Sequence, residues 1–242
     1  MFEKFRYRRK LSFFRERVRE TWSSALKEEL EFWDEWFRTR GSIWPDEYKR
    51  RLDPLEPLSY YHRDFINHLP QDKVRILDVG AGPLTVLGKI HPSKELIIVA
   101  TDALASEYDD LLTKYRIEPP LRTILARAER LTRIFAKNSF DLVYAQNSLD
   151  HSYDPLEAIR QMVRVAREGC FVVLDHIENE AENENYQGLH QWNFTVREGI
   201  FTITSRDIVI DVCRELSSLG DFVCSSENKW VRVHIRKKHR IW

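Results

Sequence analysis

The sequence predicts an α/β protein built on a doubly wound, mostly parallel, seven-stranded sheet with a helical extension at its N-terminus. Three observations predict it. After residue 70, short apolar runs rich in β-branched and aromatic residues alternate with helical segments. The first run ends in a glycine bend, Gly80-Ala81-Gly82, and the second ends in an acid, Asp102. The last two runs are separated by only Glu227-Asn228-Lys229, the signature of a hairpin that closes one edge of the sheet.

With 242 residues the chain is long enough for one such domain and a smaller extra unit. Its 38 Lys and Arg balance its 38 Asp and Glu, so overall charge selects no polyanionic partner and no nucleic acid is expected. Basic residues gather between Lys4 and Arg19 and again at Arg236-Lys237-Lys238-His239-Arg240. Such runs are ordinarily solvated faces; their functional reading is peripheral contact with an anionic membrane surface. The cysteines Cys170, Cys213 and Cys224 lack metal-ligand spacing and leave an odd member in any disulfide framework. They suit a reducing cytoplasm. No apolar run approaches the ~18 residues of a membrane span, and the N-terminus lacks a signal-peptide core. The expected location is cytoplasmic.

Residues 1–60 form the extension. Phe5, Phe13, Phe14, Trp22, Leu26, Leu30, Trp33, Trp36 and Phe37 recur at helical spacing among charges, which predicts about two amphipathic helices. Gly41 stops the pattern, and Pro45, Pro54 and Pro57 mark a turn-rich connection. Helices carrying this many aromatics need a surface to cover, either a lid position over a ligand cleft or an interface with another subunit. Residues 61–242 form the main domain.

Within it, Val74–Val79, Leu96–Thr101, Leu121–Leu125, Phe140–Ala145 and Cys170–His176 read as buried parallel strands. Asp154-Pro155-Leu156-Glu157 starts a helix, with an aspartate cap, proline in the first turn and an acid three residues on. Leu156, Ile159, Met162 and Val163 share its inner face, and Gly169 is expected to end it. Thr204 and Asp207 offer a capping box for a second helix through Val212 and Leu216. A polar insertion at about 178–203 follows the fifth strand, where an acceptor pocket would be built.

Gly80 and Gly82 let the backbone turn tightly and approach a ligand. As a dinucleotide fingerprint the bend is incomplete, because the third glycine falls at Thr85. A pyrophosphate would also meet Asp78, two residues before the first glycine. S-adenosylmethionine carries a sulfonium and an ammonium and no phosphate, so the same carboxylate favours it. Asp102, ending the second strand, is placed to accept hydrogen bonds from ribose hydroxyls.

These pieces, with Ala128-Glu129-Arg130-Leu131, Ser139-Phe140-Asp141-Leu142-Val143 and His151-Ser152-Tyr153-Asp154-Pro155, stand in the order and spacing of the class I methyltransferases. Over residues 73–177 the chain resembles that family. The resemblance implies a Rossmann-like methyltransferase fold and S-adenosylmethionine as cofactor. It implies that Asp78, Gly80 and Gly82 hold the methionine end, Asp102 the ribose, and Ala128 and Glu129 the adenine. Ala81, Ala103 and Gln146 complete the implied cofactor site. Two departures stand out: the family's third glycine is replaced near Pro83-Leu84, and Arg127 stands where an acid commonly faces the adenine amine.

A hydroxyl acceptor gains from a base of near-neutral pKa. His151 follows the fourth strand, His176 ends the fifth and His190 lies in the insertion; these three are the candidate catalytic residues. An oxygen-rich set of Asp150, His151, Asp154 and Asp175 is the alternative of a magnesium site, but no metal is expected. Gly188-Leu189-His190-Gln191-Trp192-Asn193-Phe194 loosely resembles segments of bacterial glycan-pathway methyltransferases, which points to a glycan or other small-molecule acceptor. A non-catalytic cofactor-binding protein and an RNA methyltransferase are the competing readings. The segment after the fourth strand lacks the Asn/Asp-Pro-Pro-aromatic pattern of base-methylating enzymes.

Overall fold

The computed structural model describes Trp22, residues 25–206 and residues 208–239. The Lys4–Arg19 basic run, Phe5, Phe13, Phe14, Asp207 and Arg240 lie outside the described residues. Helix α1 covers 25–38, followed by α2 (Pro45–Leu52) and α3 (Tyr60–Asp64). Gly41 ends the α1 region at φ +104°, its N–H donating to the carbonyl of Trp36. Pro45 belongs to the start of α2, where its missing N–H costs no hydrogen bond. The 41–60 connection is therefore more helical than its prolines suggest.

The main sheet has the order β3-β2-β1-β4-β5-β10-β9. Its strands are β1 (Lys73–Val79), β2 (Glu95–Asp102), β3 (Ile124–Leu125), β4 (Phe140–Gln146), β5 (Ala166–Ile177), β9 (Gly220–Glu227) and β10 (Trp230–Lys237). β3, β2, β1, β4 and β5 pair in parallel, and β10 runs antiparallel to both β5 and β9. The expected seven-stranded, doubly wound α/β sheet is what forms. The β9–β10 turn works because Asn228 (φ +51°) and Lys229 (φ +65°) both adopt the left-handed backbone that tight hairpins demand. Only Ile124 and Leu125 of the predicted third strand pair, because it is an exposed edge.

Helices cover both faces. Helix α5 (Pro155–Val165), capped by the Asp154 carboxylate on the Glu157 N–H, buries Leu156, Ile159, Met162 and Val163 on one face with Leu77, Val143 and Val172. Tyr61 and Phe65, in and after α3, pack on the other with Ile76, Leu142 and Val173. Trp33, Trp36 and Phe37 of α1 join Leu104, which caps α4 (Ala105–Tyr115), and Tyr108 and Leu112 of α4 in a third cluster.

Three expectations need correction. Helix α5 ends at Val165, capped by Ala166, not at Gly169; the chain passes directly into β5, and Gly169 (φ +78°) serves a bend within that strand. Among the described residues, no helix starts at Thr204, which lies in a strand. Instead β6 (Asn193–Arg197), β7 (Ile200–Ser205) and β8 (Ile208–Asp211) form a second, antiparallel sheet, and Asp211 caps the short helix Val212–Glu215. The third concerns the connection from β1 to β2. Residues 80–94 contain no helix; a parallel bridge between Pro57 and Ile90 pins them to the chain before α3. The C-terminal basic run is engaged by its own domain: Lys237 Nζ donates to Asn138 Oδ1 and to the Arg164 and Ala166 carbonyls, and Lys238 pairs with Asp221. No helix of the described residues is long and apolar enough to cross a membrane.

Candidate active site

A cavity of about 780 Å³ opens at the carboxyl ends of β1, β2 and β4. This is where the winding reverses, since β1 leads outward to β2 and β4 leads outward to β5. Asp78, Gly80, Ala81, Gly82, Asp102, Ala103, Ala128, Glu129 and Gln146 all line it, as do His151 and His190.

The glycine bend is held from three sides. Gly80 N–H and Ala81 N–H both donate to the Thr101 carbonyl, at 2.8 and 3.0 Å. Gly82 N–H donates to Asp102 Oδ2 at 3.1 Å, and the other Asp102 oxygen accepts from Leu104 N–H at 2.9 Å. Gly80 and Gly82 have φ of +69° and +64°, and a side chain on either would collide: with Ser148 at 2.5 Å for Gly80, with the Trp33 ring at 2.8 Å for Gly82. Asp78 accepts a 2.6 Å bond from Thr85 Oγ1, so the residue that stands in place of a third glycine locks the first acid. That role was missed in the sequence, where Thr85 counted only as a departure from a fingerprint.

Burial pushes both Asp78 and Asp102 up to about 6. Around the cavity stand eight carboxylates among the described residues, namely Asp78, Asp102, Glu28, Glu29, Glu47, Glu129, Glu180 and Glu184, against one guanidinium, that of Arg51. Even Arg51 is paired with Glu47 and donates to the Leu84 carbonyl. A pyrophosphate would be repelled here, whereas a ligand carrying two positive charges is drawn in. A proton competes with that ligand. S-adenosylmethionine affinity is therefore expected to fall as pH drops through about 6. The fall is up to about tenfold per pH unit for each proton taken up. Calorimetry between about pH 7 and pH 5 checks this, and a level profile would refute it.

On the adenine side, Glu129 is less free than its position in the sequence suggests. Its Oε1 accepts from Tyr153 N–H (3.1 Å) and Asp154 N–H (3.4 Å), tying the 3₁₀ turn Ala128–Arg133 to the start of α5. Burial lifts its carboxyl to about 7. The Arg127 guanidinium sits 5.0 Å over the Trp22 ring, and Trp22 Nε1 donates to the His151 carbonyl at 2.8 Å.

Beyond the bend, Asp150 and His151 on the 3₁₀ turn Leu149–His151 meet His190. Asp150 Oδ2 lies 3.0 Å from His190 Nδ1 and 3.3 Å from His151 Nε2, and the two ring nitrogens are 3.3 Å apart. Burial would raise Asp150, but His151, His190 and His176 together hold it down to about 2. Burial lowers His190, but the hydrogen bond and charge of Asp150 outweigh it and leave its pKa raised. Trp192, fully buried, donates from Nε1 to the Ser152 carbonyl and anchors the turn that carries His190. Glu29 of α1 faces the other nitrogen of His151, Nδ1, at 3.7 Å and was not anticipated.

His176 is not part of this group's cavity wall. It is 1% exposed, stacked edge-on against Phe194, and burial lowers it to about 4, so it is a neutral core residue. Asp154 and Asp175, proposed with Asp150 as an oxygen-rich set, are employed elsewhere: Asp154 caps α5, and Asp175 accepts from Tyr61 and Tyr144.

A doubly wound sheet with an acid-lined glycine bend at its switch point defines the class I S-adenosylmethionine-dependent methyltransferases. Residues 77–174 match the family model described as a methyltransferase domain. This stretch is a class I methyltransferase domain, and its cofactor is S-adenosylmethionine. An uncharacterized methyltransferase of Schizosaccharomyces pombe is 33% identical over 112 residues. That alignment covers 40% of this chain and only 38% of the fission-yeast protein. Among solved structures, a Methanococcus maripaludis protein described as a candidate S-adenosylmethionine-dependent methyltransferase matches with TM-score 0.52 and 13% identity. It covers 89% of this chain and 94% of its own. The CMeT domain of the citrinin polyketide synthase matches with TM-score 0.50 and 15% identity, over 72% of this chain and 50% of that one. At such identities these two share the fold.

Proposed function

We propose that the chain is an S-adenosylmethionine-dependent methyltransferase that methylates a hydroxyl of a carbohydrate or other small acceptor. One observation carries this reading: the acid-lined glycine bend and the Asp150–His151–His190 cluster open into the same cavity. Asp78, Gly80, Ala81 and Gly82 hold the methionine end, Asp102 and Ala103 the ribose, Ala128 and Glu129 the adenine, and Gln146 closes the floor. The acceptor oxygen attacks the sulfonium methyl in line; the new O–C bond forms as the C–S bond breaks, leaving a neutral thioether. The hydroxyl proton passes to a base on the wall that carries the cluster. Alignment and exclusion of water supply the rest of the rate.

A sugar is favoured by Trp44 and Trp230, aromatic residues that line the same cavity as the amides of Asn147 and Gln187. The extension acts as a lid: α1 lays Trp33 on Gly82 and Glu28 against Gly188, so it bridges the bend and the turn bearing His190. The carboxylate-lined cavity argues against RNA, whose phosphates it would repel.

Labelled S-adenosylmethionine offered with a panel of sugars and lipid-linked sugars tests the proposal. Transfer of label to at least one hydroxyl acceptor is expected. Tight cofactor binding with no transfer to any of them would favour a non-catalytic binding protein instead.

A further inference from the structure

We infer that Asp150, His151 and His190 form a binding site for one divalent transition-metal cation, of which zinc is the type. The inference deepens the proposed function, in that it states how the cluster handles the acceptor, but its geometry stands without it.

The three atoms Asp150 Oδ2, His151 Nε2 and His190 Nδ1 make a nearly equilateral triangle with sides of 3.0, 3.3 and 3.3 Å. Hydrogen bonding accounts poorly for that shape. Both histidines would have to donate to a single carboxylate oxygen from directions about 60° apart, whereas the lone pairs of an sp² oxygen diverge widely. Meanwhile the other oxygen, Asp150 Oδ1, is buried and has no hydrogen-bond partner. A metal ion accounts for the shape directly. With metal–ligand bonds of about 2.0–2.2 Å, the edge of a tetrahedron is about 3.3–3.6 Å. The triangle is one such face, drawn in by at most a few tenths of an ångström.

The donor set also selects the ion. Two imidazoles and one carboxylate suit zinc, cobalt, iron or nickel, whereas magnesium and calcium prefer oxygen throughout. The outer partners are those such sites use. Glu29 Oε2 stands 3.7 Å from the free nitrogen of His151, and Trp192 fixes the His190 turn from below. Asp150 is 2% exposed, a position at which an unpaired charge is costly and a cation is stabilising.

Three protein ligands leave a fourth position, and the cavity side of His151 and His190 is where it opens. An acceptor hydroxyl bound there would have its pKa lowered, as metal-bound water does. Glu180, on the same wall with its Oε2 buried and unpartnered, is the group to take the proton as the methyl arrives. The imidazoles then serve as ligands, and their own proton transfer is not required.

The test uses the full chain, stripped with a chelator and dialysed, then titrated with cobalt(II) and with zinc. One equivalent of cobalt is expected to give the visible ligand-field bands of a four-coordinate N/O site, and zinc to displace it. His190→Ala should weaken zinc affinity by more than about 100-fold, beyond the 10–100-fold lost when an outer-shell partner is removed. Absence of saturable binding at one ion per wild-type chain would overturn the site, as would unchanged affinity in a folded His190→Ala variant. The cofactor is titrated on the same samples. Cofactor binding without metal binding removes this inference alone, and metal binding without cofactor binding removes the methyltransferase reading alone.

Discussion

Gly80→Arg is expected to abolish cofactor binding, with no measurable heat for S-adenosylmethionine in a calorimeter and no turnover, while the chain still folds. The effect has two parts. At φ +69° any side chain is strained by about 1–2 kcal/mol, and the first carbon would stand 2.5 Å from both Cβ and Oγ of Ser148. Ser148 cannot rotate its own Cβ away, so the backbone of one loop or the other must move. Ser148 Oγ also donates to the Val79 carbonyl, so the displacement unfastens the end of β1. The remaining atoms of the arginine then fill the space proposed for the methionine end. Gly199→Ala is the control: its φ of +74° imposes the same strain, but nothing lies within 4 Å of the added carbon. It should cost about 1 kcal/mol of stability and leave cofactor affinity intact. Equal affinity in wild type and Gly80→Arg would place the cofactor elsewhere.

That the bend could be found at all reflects how local its physics is. Buried parallel strands are continuous apolar runs, and a glycine pair followed by an acid-tipped second strand writes its purpose into a few consecutive residues. Asp154-Pro155 was legible for the same reason, since a helix cap is made by neighbours. What failed were features decided over distance. Thr204 looked like half of a capping box, yet Phe201, Ile203 and Ser205 are buried while Thr202 and Thr204 face outward, an alternation of two that marks a strand. That signal was present and was outweighed by the cap pattern. Gly169 carried a helix-stop signature, but β5 begins before it because Ala166 already pairs with Phe140. Glu29 and Trp33 could not be assigned from spacing. Their roles depend on α1 crossing the sheet's carboxyl edge, 50 to 160 residues from its partners in sequence. His176 and His190 illustrate the same limit in a pair. Both are near strand ends, but one turns into the core against Phe194 and the other into the cavity. A sequence offers no means of telling which.

His151→Ala separates chemistry from cofactor binding, and it is expected to lower turnover by about 10²–10⁴-fold, the range for loss of a positioned acid–base or activating group. The cofactor's dissociation constant should change little, because none of the residues proposed to hold the adenosine and methionine is hydrogen-bonded or ion-paired to the His151 ring, whose partners are Asp150, His190 and Glu29. The split follows from how His151 is held. Its carbonyl accepts from Trp22 Nε1, a backbone contact that alanine preserves, so this tie survives the substitution. Its ring, by contrast, meets Asp150 Oδ2 and His190 Nδ1 on one side and Glu29 on the other, and all three lose a partner at once. Asp150 is then a buried carboxylate with one fewer positive neighbour, so its carboxyl should rise from about 2 toward the ordinary range. In stability terms a depressed carboxyl contributes above its unfolded value and loses that contribution as pH falls through its folded value. Wild type should therefore keep this contribution down to about pH 2, and the variant should lose it at a higher pH. An acid-unfolding profile shifted that way, with turnover lost and affinity kept, is the expected signature. A large rise in the dissociation constant with unchanged turnover would assign His151 to binding the cofactor instead.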